Sequence, residues 1–389
     1  MKRLLAIILS MMVLTLGLTG CGDSEKEIEI DEDVLSVNSF MPTEKYVKKL
    51  GRTEETDSGL WLAYSGSGAE FTFNGTKATV TLLGDYTIGS EDWDSVPRIA
   101  IYVNDTLVVD EMLMDESTTF TVFESEEAED CTIRIVKLSE TGNSTCVIGS
   151  IEVEAYGAIK PTDEKEHTIE FIGDSITCGY GVDADDQNSS FSTRTENATK
   201  SYAYLTAQLL DANYSLVSKS GHGIISGYTS DGTIQSWGVL SDYYESFGSG
   251  SGTVGGVTPD SVDWDFKNNP VDLVVINLGT NDYSYTGSDA DKQAEYKTAY
   301  VEFIKQVREN NPDAYIICAL GIMGNELYPM VEAAVSEYIT ETGDDKVTSF
   351  EFDVQSASDG YGADWHPSAT TQQKSAESLT EFIKEWLGW

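Results

Sequence analysis

The chain has 389 residues, with 24 Lys+Arg against 66 Asp+Glu and a formal charge of −42. Forty per cent of it is hydrophobic, so it is a globular chain; at roughly 150 residues per domain it makes two or three domains. Such an acidic surface repels phosphate backbones and anionic lipid head groups, which excludes nucleic acid as an expected partner.

Residues 1–20 read as an export signal outside the fold. Met1-Lys2-Arg3 is a short basic start, and the apolar run from Leu4 to Leu18 is too short for a stable spanning helix. The run closes on Leu18-Thr19-Gly20-Cys21. That stretch resembles a bacterial lipoprotein cleavage box, which implies cleavage before Cys21, a diacylglycerol on its sulfur, and a cell-surface location. Residues 21–33 are acidic and lack a packing face, so they read as an extended tether. The other cysteines, Cys131, Cys146, Cys178 and Cys318, show no zinc spacing and read as free buried thiols. Cys131 and Cys146 flank an expected hairpin turning near Gly142, which sets them out of register for a bond.

Residues 34–160 carry short, strand-like segments. Leu60–Tyr64, Glu70–Asn74, Ala78–Leu83, Arg98–Val103, Thr118–Phe123, Thr132–Leu138 and Val147–Val153 are separated by turn signals at Asn74-Gly75, Asn104-Asp105 and Gly142-Asn143. Many short strands without a helical period imply an all-β sandwich, jelly-roll-like. After Pro161 the pattern changes, and residues 161–389 alternate strand and helix. Strands are expected at Thr168–Ile172, Ser215–Ser218, Asp272–Leu278, Ala314–Leu320 and Val347–Phe352. Helices are expected at Thr199–Asp211, Asp291–Asn310, Asn325–Glu341 and Ser368–Leu387. This order predicts an α/β domain, a parallel sheet with helices on both faces. Its chemistry belongs at the carboxyl ends of the strands.

Those ends carry four motifs. The first strand runs into Gly173-Asp174-Ser175-Ile176-Thr177, placing Ser175 on a strand-to-helix turn with its own N–H near a helix start. The second is followed by Ser220-Gly221-His222-Gly223 and the third by Gly279-Thr280-Asn281-Asp282. Asp364-Trp365-His366-Pro367 precedes the last helix. No G-x-S-x-G elbow is present. The four motifs, in this order, resemble those of the SGNH (GDSL) hydrolases. The resemblance implies Ser175 as nucleophile and His366 as base. It also implies an oxyanion hole of the Ser175 N–H, the Gly223 N–H (with Gly221 as runner-up) and the Asn281 side chain. The family places an aspartate three residues before the histidine, where this chain has Ala363. Asp364, two residues before, is the expected partner of His366, with a backbone carbonyl and a Ser-His dyad as the alternative.

A β-sandwich directly before such a domain, with FIGDSITCGYG at the first motif and DWHP at the last, resembles carbohydrate esterase family two. That implies a serine esterase removing acetyl groups from polysaccharides such as xylan or mannan, with no metal and no cofactor. Trp365 and Tyr180 are the candidate sugar-stacking residues, and Trp237 and Trp264 are possible cleft walls. His222 reads as structural and His167 as a surface residue. Two other readings stay open: a lipase or thioesterase for longer acyl chains, and a non-catalytic lipoprotein that captures glycans.

Overall fold

The computed structural model describes residues 30–89, 93–250 and 252–389. The signal, Cys21 and most of the tether lie outside these residues. At the end of the tether, Ile30 packs against the core of the first domain.

Among the described residues the first domain has ten strands. They are β1 (Ser36–Phe40), β2 (Lys48–Leu50), β3 (Thr53–Thr56), β4 (Gly59–Leu62), β5 (Gly68–Gly84), β6 (Arg98–Val103), β7 (Thr106–Met112), β8 (Ser117–Lys137), β9 (Cys146–Ala155) and β10 (Lys160–Pro161). The order is β3-β4-β9-β5-β8-β6-β7, with β1 on β9 and β2 and β10 on β5. The long strands carry the fold. One half of β5 supplies Phe71 and Phe73 and the other supplies Val80 and Leu82, and all four enter a single core with Ile99, Ile133, Ile148 and Ile151. The sheet therefore closes on its own apolar face, which a flat sheet would leave in water.

Two sequence expectations fail here. Asn74-Gly75 is not a turn; the ladder of β5 slips between Gly75 and Lys77, and the chain continues in the same strand. Gly75 is required there because a Cβ would come within 2.2 Å of the Glu154 carbonyl oxygen. The expected Cys131–Cys146 hairpin does not form either. β5 lies between β8 and β9, so Cys131 faces Phe73 and Cys146 faces Gly84. The four cysteines Cys131, Cys146, Cys178 and Cys318 are free and buried. Asn104-Asp105 does turn, with both residues at positive φ as a tight hairpin needs.

Among its described residues the second domain has five parallel strands, β11 (Thr168–Gly173), β12 (Asn213–Ser218), β13 (Leu273–Asn277), β14 (Tyr315–Ile322) and β15 (Val347–Val354). Its helices are α1 (Ser175–Cys178), α2 (Tyr202–Leu209), α3 (Thr280–Thr286), α4 (Ala290–Asn310), α5 (Tyr328–Thr342) and α6 (Ala369–Leu387). The strand order is β12-β11-β13-β14-β15. Val274, Ile276, Ile316 and Cys318 face one core with α4 and α5, while Phe171, Val275, Ile317 and Ala319 face another with α2 and α6. Both faces are thus covered, which is why these strands are continuously apolar. The order reverses between β11 and β13, and the crevice this opens is where a ligand enters such a sheet. None of the described helices is long and apolar enough to cross a membrane.

The β domain covers the edge strand β12. Tyr214 donates to the Gly66 carbonyl at 2.8 Å, and a Cβ on Gly66 would come within 2.9 Å of Leu216. Beside this contact, Arg52 is fully buried. It pairs with both oxygens of Glu170 at 3.2 and 3.1 Å and donates to the carbonyls of Tyr244 and Ser246. Removing either partner of such a buried pair costs about 3–5 kcal/mol, because the other charge is stranded. The two domains are thus packed as one unit.

Candidate active site

β11 ends at Gly173 because the chain needs room there: a Cβ would meet Thr177 Oγ1 at 2.0 Å. Asp174 then caps α1, its Oδ1 accepting the Ile176 N–H at 3.0 Å. This leaves Ser175 as the first residue of the helix, 7% exposed. Its N–H has no hydrogen-bond partner among the described residues. Ser175 Oγ lies 2.8 Å from Nε2 of His366, and Nδ1 of His366 lies 3.1 Å from the Ala363 carbonyl oxygen. That carbonyl is only an acceptor, so the proton sits on Nδ1 and Nε2 presents its lone pair to the Ser175 hydroxyl.

The carboxylate of Asp364 is elsewhere. Asp364 and Trp365 both adopt positive φ, 49° and 58°, and Asp364 Oδ2 accepts the Tyr180 hydroxyl at 2.7 Å. The expected Asp364–His366 hydrogen bond is therefore replaced by the Ala363 carbonyl. The left-handed turn swings the Asp364 side chain outward and brings the backbone oxygen under the ring. Tyr180 sits against the base itself. Its ring stacks on His366, centroids 3.9 Å apart and planes 25° apart, and it touches Phe191 at 4.8 Å. That face of the ring braces the imidazole. Trp365 is 49% exposed beside His366.

Gly223 also departs from expectation. Its N–H donates to the Gly238 carbonyl at 2.9 Å and is spent. Glycine is needed at 223 for packing, since a Cβ would come within 2.3 Å of Asp282 Oδ2. Gly221, the runner-up, has φ +74, open space where its Cβ would be, and an N–H with no partner among the described residues. Asn281 Nδ2 donates to the His222 carbonyl at 2.8 Å and to Asp174 Oδ2 at 3.2 Å. The reversal of strand order is what brings α3, after β13, against the turn after β11.

Two buried carboxyls that the sequence reading left without a role organise this floor. Asp282 accepts the N–H groups of Ile224, Ile225 and Ser226 at 2.7 to 3.2 Å; burial pushes it up to about 6. Burial pushes Asp174 up to about 7, against the pull of the Ile176 N–H and with a further push from Asp282. The available signal was the aspartate in each of GDS and GTND, which read there as motif and not as structure. His222 is buried, its Nδ1 on the Ser220 carbonyl at 3.0 Å, and its ring is edge-on to Trp237 at 5.6 Å. Trp237 thus reaches the loop beside Ser175, whereas Trp264 sits over Arg52. His167 stacks on Trp389 at 4.0 Å.

Burial, against the pull of the Ala363 carbonyl and of Asp364, holds His366 down at about 4. The imidazole is therefore neutral at pH 7. A groove of about 910 Å³ lies at the other end of the sheet, lined by Lys49, Thr168, Asn213 and Trp264. It is at the amino ends of β11 and β12, and none of the four motifs lines it.

Residues 171–374 match the GDSL-like lipase/acylhydrolase family, and residues 49–162 match the carbohydrate esterase 2 N-terminal domain. The chain is 36% identical over 87% of its length to the cellulase/esterase CelE of Acetivibrio thermocellus, and spans 39% of that relative's length. It is 25% identical to an acetylxylan esterase / glucomannan deacetylase of Cellvibrio japonicus, over 91% of this chain and 92% of that one. A family two carbohydrate esterase from Clostridium thermocellum, solved with cellohexaose, superimposes with a TM-score of 0.73 at 31% identity. That match covers 88% of this chain and 99% of that one.

Proposed function

Because the chain belongs to the GDSL-like lipase/acylhydrolase family and carries a carbohydrate esterase 2 N-terminal domain, we propose that it is an exported serine esterase that removes acetyl groups from polysaccharide. The observation that carries this reading is the 2.8 Å contact between Ser175 Oγ and Nε2 of His366, whose Nδ1 lies on the Ala363 carbonyl. His366 Nε2 takes the hydroxyl proton as Ser175 Oγ attacks the acetyl carbonyl. The N–H groups of Ser175 and Gly221, without a partner among the described residues, receive the oxyanion. Asn281 joins them by giving up its longer bond, the 3.2 Å contact to Asp174. His366 then protonates the departing sugar oxygen, leaving the acetyl group on Ser175 Oγ, and water, deprotonated by the same nitrogen, attacks that ester to release acetate and restore the Ser175 hydroxyl.

The exposed Trp365 beside His366 supports a sugar as the leaving group, because a flat aromatic face matches the C–H face of a pyranose. The relatives' names, acetylxylan esterase and glucomannan deacetylase, support xylan or mannan as the polymer. Acetate release from acetylated xylan and acetylated mannan is the test, beside 4-nitrophenyl acetate, butyrate and octanoate. Rates should fall as the acyl chain lengthens; rates that climb from acetate to octanoate would make the enzyme a lipase or thioesterase instead.

The dyad has its own signature. Asp364→Asn keeps an oxygen for the Tyr180 hydroxyl and removes only a charge that makes no hydrogen bond to the His366 ring, so kcat near pH 7.5 should fall tenfold or less, against the roughly ten-thousand-fold of a true triad aspartate. The sign of the pH dependence follows from His366: the base is active when neutral, and its folded value is depressed to about 4. Activity should therefore persist below the ordinary histidine midpoint and be lost as pH falls through about 4. An acid limb of kcat/KM near 6.5 would contradict this.

Export and anchoring at Cys21 complete the proposal, with the polymer outside the cell and the enzyme tethered at its surface. Cys21→Ala should abolish metabolic labelling of the protein by a radioactive fatty acid, with esterase activity intact.

A further inference from the structure

The peptide between Ser220 and Gly221 carries the one N–H of the 219–223 loop that has no partner among the described residues. Its carbonyl is tied to Nδ1 of His222 at 3.0 Å, and because a trans peptide points its N–H opposite to its C=O, the Gly221 N–H is aimed away from His222. The flanks are also held. The Gly221 carbonyl accepts the Tyr228 N–H at 2.9 Å, the His222 carbonyl accepts Asn281, and the Gly223 N–H is on Gly238. The remaining tie crosses from the other domain: the Ser220 N–H donates to Oε2 of Glu140 at 2.8 Å.

Glu140 lies between β8 and β9 and is 2% exposed. Its own N–H donates to Glu196 Oε2 at 2.9 Å, and its carbonyl accepts from the fully buried Lys137 at 3.1 Å. Lys137 also donates to the Ser139 carbonyl at 2.6 Å. With both ends of its backbone pinned, the Glu140 side chain can reach only a small volume. A Cβ on the neighbouring Gly142 would come within 3.3 Å of the same Oε2 and 3.4 Å of Lys219, so the carboxyl is packed as well as bonded.

We propose that Glu140 is a positioning residue through which the N-terminal β domain sets the Gly221 N–H of the oxyanion hole. The inference rests on the esterase reading above and extends it: the β domain is part of the catalytic apparatus, whether or not it binds glycan. Loss of the Ser220 tie would let the 220–221 peptide rotate. Ground-state substrate binding would change little, and the donor aimed at the developing charge would be lost.

The test uses the full chain. Glu140→Gln keeps an oxygen acceptor for the Ser220 N–H, and Glu140→Ala removes it. With 4-nitrophenyl acetate, Glu140→Ala should lower kcat by about ten- to a hundredfold with KM within about threefold, less than the removal of a whole oxyanion donor. Glu140→Gln should stay within about threefold of the parent in kcat. The rate at which a fluorophosphonate labels Ser175, read by mass, should fall in step with kcat. If Glu140→Ala does not fold, Glu140→Asp, which withdraws the oxygen by one methylene, should show the same loss. A folded alanine or aspartate variant with parental kcat and labelling rate overturns the proposal. So does a defect in KM alone, or a Gln variant as impaired as the Ala one. Failure of the polysaccharide reading would appear separately, as no acetate from xylan or mannan, while the labelling rate still reports on Glu140.

Discussion

Ser175→Ala is expected to abolish ester hydrolysis, with kcat falling by roughly 10⁴- to 10⁶-fold while the fold stays intact. Among the described residues the Oγ is bonded to His366 alone, and the turn that holds it depends on the Asp174 cap and on the glycines at 173 and 179. Stability should therefore change by about 1 kcal/mol or less. His366→Ala should cost about as much as Ser175→Ala, and the double variant no more than either, because the two side chains act as one unit. The measurement is kcat on 4-nitrophenyl acetate, with a melting temperature for each variant. Turnover in Ser175→Ala above about one per cent of the parent would remove Ser175 as the nucleophile.

Asn281→Ala is expected to have the next largest effect. The side chain is the proposed third oxyanion donor, and removing one such donor costs about 10²- to 10³-fold in kcat, or 2.7–4 kcal/mol of barrier. KM should move little, since the charge it meets exists only in the transition state. Unlike Ser175, Asn281 also holds the floor together by its bonds to the His222 carbonyl and to Asp174. Truncation leaves two buried acceptors unpaired, at about 1–3 kcal/mol each, so a fall in melting temperature should accompany the loss of kcat. Asn281→Asp should be worse, because it sets a further carboxyl against Asp174, which burial already holds at about 7. A kcat within a few-fold of the parent in a folded Asn281→Ala would place the oxyanion on the two backbone amides.

The amino-acid sequence by itself determined where the chemistry lies. Apolar runs of five or six residues are readable as covered strands, and GDS, GTND and DWHP are readable because each sits at a strand end or just before the last helix. Those positions follow from local pattern: the sheet strands at 168–173, 273–277 and 347–354 begin within one residue of the expected starts. Even the departure at Ala363 is visible in the sequence as a missing aspartate. What replaces that aspartate is not. Spacing says how far apart two residues are along the chain but not the sign of φ between them, and positive φ at Asp364 and Trp365 decides that a carbonyl, not a carboxylate, meets Nδ1.

Between Gly221 and Gly223, spacing from the strand end favours Gly223, the wrong one. Only the packing of Asp282 against Gly223 and the bond to Gly238 separate the spent amide from the free one. In the β domain, Asn74-Gly75 has the composition of a turn, yet the strand runs through it as a bulge, because long-range pairing with β8 and β9 outweighs local propensity. The same pairing separates β8 from β9, which a hairpin reading joins. Glu140 is the extreme case. One acidic residue among 66, in a loop without a motif, it meets Ser220 across 80 residues of chain, and only the docking of one domain on the other brings it there.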